Sequence, residues 1–167
     1  MIACSARLEG LTTTVTALII GGPPLSIDTP DYHDADLMLR VYEMRREAKT
    51  RENRDKLNFG FWPKSHEDVK AVQQPGHELN EPWRQLSTYW EMVYGIARNG
   101  IVNPNFWVAN NGEGMFFYAK VAPYLAQIRQ ENPLALQNLE WAATETEKGK
   151  QFFAYISEVV QTMTAAR

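Results

Sequence analysis

The chain has 167 residues, of which 44% are hydrophobic and 22% are charged, and its net charge at neutral pH is −3. This length is sufficient for one domain with a substantial core, and this composition argues against intrinsic disorder. The small net charge argues against a protein that captures nucleic acid or an anionic membrane by electrostatic attraction.

Residues 1–30 differ in composition from the rest of the chain. Thr, Val and Ile dominate residues 11–20, which favours extended backbone over helix, and the run Gly-Gly-Pro-Pro at residues 21–24 then ends any regular element. The segment is a frayed tail, an over-called translation start, or an arm that packs as a strand on its own domain or on a second subunit. Because extended backbone must pair its polar groups, we expect an arm that packs within a homodimer.

The single cysteine, Cys4, excludes an intramolecular disulfide framework and is compatible with a reducing compartment. No apolar run approaches the roughly 20 residues that a membrane span needs. As a signal peptide, residues 11–20 are poor because they include four threonines and no Ala-x-Ala-like cleavage site follows. The sequence therefore predicts a cytoplasmic protein without a membrane span, with secretion as the alternative.

The stretch from Trp83 to Asn99 predicts the central helix of the fold. Apolar side chains recur on one helical face with three-and-four spacing, at Trp83, Leu86, Trp90, Val93 and Ala97. A second apolar face is formed by Tyr89, Met92 and Ile96. A helix that is apolar on most sides typically lies in the middle of a bundle. Gly100 is expected to end this helix in a left-handed conformation.

Amphipathic segments on both sides could cover this helix. A helix that starts between Asp31 and Asp36 should bury a stripe of apolar residues, namely Leu37, Val41, Met44 and Ala48. The charged half that follows, from Lys49 to Lys56, predicts a solvated helix face, because acids and bases alternate and no aromatic stacking platform for nucleic acid lies among them. Four aromatic or aliphatic residues then return the chain to the core, at Leu57, Phe59, Phe61 and Trp62.

Several cap and stop signals divide the remaining chain into helices. Helix starts are predicted at Ser65 with Asp68 as its reciprocal acid, at Asn80, at Asn103 before Pro104, near Glu113, and at Thr144 in the Thr-Glu-Thr-Glu run. A break is predicted near Val121, because Pro123 lies inside an apolar pattern. The last helix should bury Phe152, Ile156, Val159 or Val160, and Met163. The predicted fold is all-α, a single irregular helical bundle over residues 31–167 around a central apolar helix, with an extended N-terminal arm at residues 1–30.

Glu91 is the catalytic candidate. It lies on the polar strip of the central helix with Arg84, Thr88, Gly95 and Arg98, and Tyr89, Trp90 and Tyr94 flank it. Partial desolvation by these rings would raise the pKa of its carboxyl group and suit acid–base chemistry. The simpler interpretation is a structural hydrogen bond or an ion pair with an arginine, since no second catalytic group is visible. The candidates for ligand binding are Tyr89, Tyr94, Arg84 and Arg98.

Metal and cofactor sites are not predicted. The histidines His33, His66 and His77 form neither a His-Glu-x-x-His nor a Glu-x-x-His pattern. The run Gly112-Glu113-Gly114 is similar to the start of a phosphate-binding turn, but its third glycine and a following Gly-Lys-Ser/Thr are missing. We interpret it as a flexible loop.

Several segments resemble a group of small, uncharacterised, helical bacterial proteins. The resemblance lies in Ser87–Met92, which contains Tyr-Trp-Glu-Met, in Asn99–Asn103 with its Asn-Gly stop, and in Asn111–Glu113. It extends to Asp36–Glu47, to the Trp62-Pro63 turn and to Ala119–Tyr124, and covers roughly residues 34 to 142. The resemblance implies a helical fold and no known activity.

The aromatic content is high for a helical domain, with five Trp, seven Tyr and seven Phe. Most should lie in the core, and some could line a groove or a dimer face, where Trp and Tyr are typical anchors. The sequence therefore favours a non-catalytic helical interaction module that self-associates, with an unknown protein partner also possible. The alternative is a ligand-binding protein or enzyme with a pocket near Glu91.

Overall fold

The structure is a computed structural model and describes residues 29–167. In this part of the chain nine α-helices follow one another, and a 3-10 turn (Ala122–Tyr124) separates the sixth from the seventh. The helices are α1 (Tyr32–Arg46), α2 (Ala48–Gly60), α3 (His66–Val72), α4 (Asn80–Arg98), α5 (Pro104–Asn110), α6 (Gly112–Val121), α7 (Leu125–Glu131), α8 (Gln137–Glu145) and α9 (Glu147–Ala165). No strand occurs among these residues, so the all-α prediction is confirmed. The arm expected at residues 1–30 lies outside the described residues except for its last two positions.

Helix α4 is the centre of the bundle, as predicted. It packs against α2, α5 and α8, and its residues Trp90, Val93 and Tyr94 are 0% exposed. The predicted second apolar face is wrong at Met92, which is 43% exposed, whereas Tyr89 and Ile96 are half-buried.

Side-chain donors fasten neighbouring helices to α4. The hydroxyl of Tyr94 donates to the backbone oxygen of Asn111 at 2.6 Å, and the indole of Trp107 donates to the backbone oxygen of Val93 at 2.8 Å. Such bonds satisfy polar atoms that burial in the apolar centre would otherwise leave unpaired. The junction of α5 and α6 is thereby held at a fixed position on α4.

The first helix was predicted to be continuous, and this is wrong. Helix α1 ends at Arg46, and Glu47 separates it from α2. Glu47 has extended backbone, with φ −54° and ψ 138°, and its carboxylate accepts from the backbone N–H of Thr50 at 2.7 Å, which starts α2. This interruption changes which side of α1 faces the core. Met44 is 49% exposed and Ala48 is exposed, whereas Met38 is buried together with Val41.

The charged side chains of α2 are exposed as predicted, except that of Arg54, which is half-buried. The inner face of α2 buries Asn53, whose amide donates to the side chain of Gln85 on α4 at 2.6 Å. The Gln85 amide in turn donates to Thr50 at 3.0 Å. Leu57 returns the chain to the core as predicted, but Phe59 is 70% exposed.

Some of the predicted helix caps are confirmed and others are wrong. Ser65 and Asp68 form the reciprocal capping box at the start of α3, Asn103 caps α5, and Gly100 ends α4 with φ 69°. Asn80 is no cap, because it is the first residue of α4 and its amide donates to the backbone of α3. Thr144 lies inside α8, and Thr146 caps α9 instead.

Helix α9 lies across α5, α6 and α8. Gly149 permits the close approach to α8, since a Cβ atom built there would lie 1.7 Å from the carbonyl oxygen of Ala142. Farther along α9, the predicted burial is wrong for Phe152 and Met163, which are 37% and 39% exposed. It is confirmed for Val160, which is buried. The second half of α9 consequently stands as one wall of a groove.

Candidate functional site

The structure places Glu91 at the start of a neighbouring helix. Its carboxylate accepts hydrogen bonds from the backbone N–H groups of Asn138, at 3.1 Å, and Leu139, at 3.0 Å. These are the second and third residues of α8, which begins after Leu136 with no side-chain cap of its own. The first N–H groups of a helix lack partners within the helix and carry partial positive charge. Glu91 supplies this missing cap from α4.

The other predicted site residues do not share these hydrogen bonds. Arg98 donates to the side-chain oxygen of Asn138 at 3.1 Å, and Arg84 is exposed. The hydroxyl of Tyr89 donates to the backbone of Val41 at 2.9 Å, and burial raises its pKa to about 12. Burial also raises the pKa of Tyr94, whose hydroxyl is bonded to Asn111.

A cavity of about 350 Å³ does lie beside Glu91, between α4 and the segment before α8. The lining includes Trp83, Ser87 and Leu136. The Glu91 carboxylate is already bonded to α8, however, so its oxygens have partners within the fold. Glu91 as a catalytic residue and the four ligand-binding candidates remain predictions.

If Glu91 acts as a cap, Glu91→Ala should lower the free energy of unfolding by about 1–3 kcal/mol, because two helix N–H groups lose their acceptor. Urea denaturation followed by circular dichroism measures this loss. Glu158→Ala is a matched control, because Glu158 is an exposed residue of α9. Equal stability of the two variants would contradict the capping role.

A larger cavity, of about 760 Å³, forms a groove between α6, the 3-10 turn and α9. Its lining is mainly apolar and aromatic. The lining residues are Pro63, Lys64, Tyr118, Ala119, Lys120, Ala122, Pro123, Tyr124, Phe153, Ser157, Val160, Gln161, Thr164 and Ala165. We call this cavity the α6–α9 groove. Pockets of this size with few polar groups are typical of sites for small molecules.

Lys120 is the unusual residue of the α6–α9 groove. It lies in the otherwise apolar run of α6 and is only 3% exposed. Its ammonium group donates to the backbone oxygen of Asn58 at 2.7 Å, in the last turn of α2, where carbonyl groups lack helical partners. It also lies 3.9 Å from the ring centroid of Trp62 and 4.4 Å from that of Phe116, so aromatic faces supply the rest of its environment.

Burial, with a smaller contribution from the guanidinium of Arg167, lowers the pKa of Lys120 to about 7. Arg167 lies 4.5 Å from the ring centroid of the same Trp62. Within residues 29–167, no ion pair involves Lys64, Lys120 or Arg167, and no carboxylate side chain lines the groove. Lys64 and Lys120, which line the groove, and Arg167, which lies beside it at Trp62, are therefore basic groups without a carboxylate partner.

The groove also contains an unused polar atom. The hydroxyl oxygen of Ser157 is buried and has no hydrogen-bond partner among the described residues. Ser157 lies between Phe153 and Val160 along the wall that α9 supplies. A buried hydroxyl without a partner is costly.

The groove was not predicted from the sequence. Lys120 was noted only as part of the run Ala119–Tyr124. A usable signal was present, because a lysine inside the apolar run of residues 115–122 has no polar helix face to occupy. The groove itself depends on how α9 crosses α6, which the sequence pattern does not specify.

The run Gly112-Glu113-Gly114 is no flexible loop, contrary to the prediction. It forms the start of α6, and Glu113 accepts hydrogen bonds from the guanidinium of Arg54, one of them at 2.7 Å. Gly114 is required because a Cβ atom there would lie 2.5 Å from the ring of Tyr94. The part of the chain that the structure describes contains no cluster of His, Cys, Asp or Glu that could hold a metal ion. None of its helices is both long and apolar enough to cross a membrane.

The fold and its sites define an all-α protein with a central buried helix. The family model described as "Domain of unknown function (DUF4760)" matches residues 31–146, more than half of the chain, and the chain belongs to this family. No curated protein and no solved structure matched the sequence. The match contains the whole stretch of the resemblance noted above. A bacterial origin and a family-wide Tyr-Trp-Glu-Met segment remain predictions. Helix α9, one wall of the groove, begins just after the matched residues.

Burial of Lys120 predicts a specific dependence of stability on pH. Its pKa is about 7 in the folded protein and about 10.4 in an unfolded chain. Between these values the unfolded state binds more protons, so stability should increase as the pH rises, and below about pH 7 the full cost of burying the charge remains. Relative to that of Lys120→Met, the free energy of unfolding of the wild type should increase by about 2–4 kcal/mol between pH 7 and pH 10.

Urea denaturation of both proteins across this pH range measures the gain, and the difference between them cancels the titration of other groups. A constant difference would show that Lys120 titrates alike in the folded and unfolded states.

Proposed function

We propose that this chain is a non-catalytic binding protein that holds a small, mainly apolar molecule in the α6–α9 groove. The observation that supports this most strongly is the groove itself, a cavity of about 760 Å³ with an apolar and aromatic lining. Its volume lies within the range of small-molecule sites. The proposal keeps the ligand-binding alternative of the sequence analysis and moves it away from Glu91, whose carboxylate is bonded to α8.

A filling substitution tests this use of the groove. Ser157→Phe should abolish binding of the neutral apolar dye Nile red, because the new ring would occupy the space between α9 and α6. Ala154→Phe is the matched control, since Ala154 is exposed on the same helix and does not line the groove. Fluorescence titration measures binding, and circular dichroism checks that both variants remain helical. Equal dye binding by both variants would contradict the proposal.

A second candidate function is self-association, which the outer face of α1 favours. This face exposes Tyr32 (95%), Leu39 (62%) and Tyr42 (49%), which share one side of the helix. Large exposed apolar side chains in one stripe are typical of interaction surfaces. Residues 1–28 precede this face directly and include the apolar residues 11–20. We propose that residues 11–20 of a second copy cover the α1 face in a homodimer.

Removal of residues 1–25 should then shift the protein toward the monomer while its helices remain folded, because the segment that covers the α1 face is gone. Light scattering of the full-length and truncated chains at matched concentrations measures the number of subunits. The full-length variant Leu39→Glu should have the same effect, since a charge would be buried at the interface. If all three proteins have the same number of subunits, this face does not form a dimer.

A further inference from the structure

We propose that the molecule held in the α6–α9 groove is a straight-chain amphiphile with an anionic head group, and that the head group binds near Lys120 and Arg167. This inference rests on the proposed binding function and adds the chemical class of the ligand. It is carried by the unequal distribution of charge and apolar surface along the groove.

The groove extends along α9, which suits an extended hydrocarbon chain. Helix α9 lines it from Phe153 to Ala165, a distance of about 18 Å at 1.5 Å per residue. The facing wall consists of Tyr118, Ala119 and the 3-10 turn. On α9, the lining residue Val160 is buried. A straight apolar chain laid along α9 would cover this surface and gain the free energy of apolar burial.

The head group is indicated by three basic side chains that form no ion pair within residues 29–167. Lys120 and Arg167 both lie against the ring of Trp62, at 3.9 Å and 4.5 Å from its centroid. Lys64 follows Pro63 on the same end of the groove and is also a lining residue. A buried ammonium group with one hydrogen-bond acceptor is destabilising, and an anion beside it would offset that cost.

The lining gives a reason against neutral or cationic ligands. Of its fourteen residues, the two charged ones are both lysines. A cationic head group would be repelled by them, and a neutral one would leave Lys120 without a counter-charge.

Matched ligands and variants test the inference. Dodecanoate and dodecanol, which share a chain length and differ in head-group charge, are titrated at low ionic strength against the Nile red complex. The wild type should bind dodecanoate at least about tenfold more tightly than dodecanol, as charge complementarity predicts. Lys120→Met should remove most of this preference. Lys150→Met, which removes an exposed charge of α9 outside the groove, should keep the preference.

The outcomes separate the inference from the proposed function. Equal affinity of the wild type for both ligands would overturn the anionic head group while leaving the groove as an apolar site. If neither ligand displaces Nile red, the proposed function fails as well. Should Lys120→Met not fold, Arg167→Gln replaces it, because Arg167 is exposed. An unchanged preference in Arg167→Gln would then overturn the inference.

Discussion

The arrangement of the second half of the molecule depends on the hydrogen bonds between Glu91 and the start of α8. Helix α8 begins without a cap of its own, and Leu136 before it has a left-handed backbone with φ 52°. The Glu91 carboxylate from the central helix satisfies two of its first N–H groups. Because α8 contacts α9 closely at Gly149, the position of α8 also fixes α9, and with it the α6–α9 groove.

Buried charges at helix ends recur in this fold. Lys120 bonds to a carbonyl of the last turn of α2, and Glu113 in the first turn of α6 bonds to Arg54 of α2. In each case a charge meets the end of a helix dipole that it stabilises, which partly offsets the cost of its burial. Lys120 is the least compensated of them, since it has no carboxylate partner within residues 29–167, and this imbalance makes its surroundings suitable for an anion.

Local signals in the sequence were sufficient for the central helix and most helix boundaries. The apolar periodicity of Trp83–Ala97, the φ-permissive Gly100 and the capping pair of Ser65 and Asp68 act over a few residues, so each can be read without the fold. The break at Glu47 and the exposure of Phe59 depend on tertiary packing. Glu91 was recognised as special, but its partner is 47 residues away in the chain, so its role as a cap could not be predicted. The groove was missed for the same reason, because its walls come from distant helices.

Native-state amide hydrogen exchange at Asn138 and Leu139 tests the central claim most directly, since these are the two N–H groups that Glu91 accepts. In the wild type both amides should exchange slowly, because they are hydrogen-bonded at the start of a packed helix. In Glu91→Ala both should lose protection, whereas the amide of Trp107 in α5, bonded to Asn103, should keep it. Unchanged protection of Asn138 and Leu139 in the variant would contradict the account.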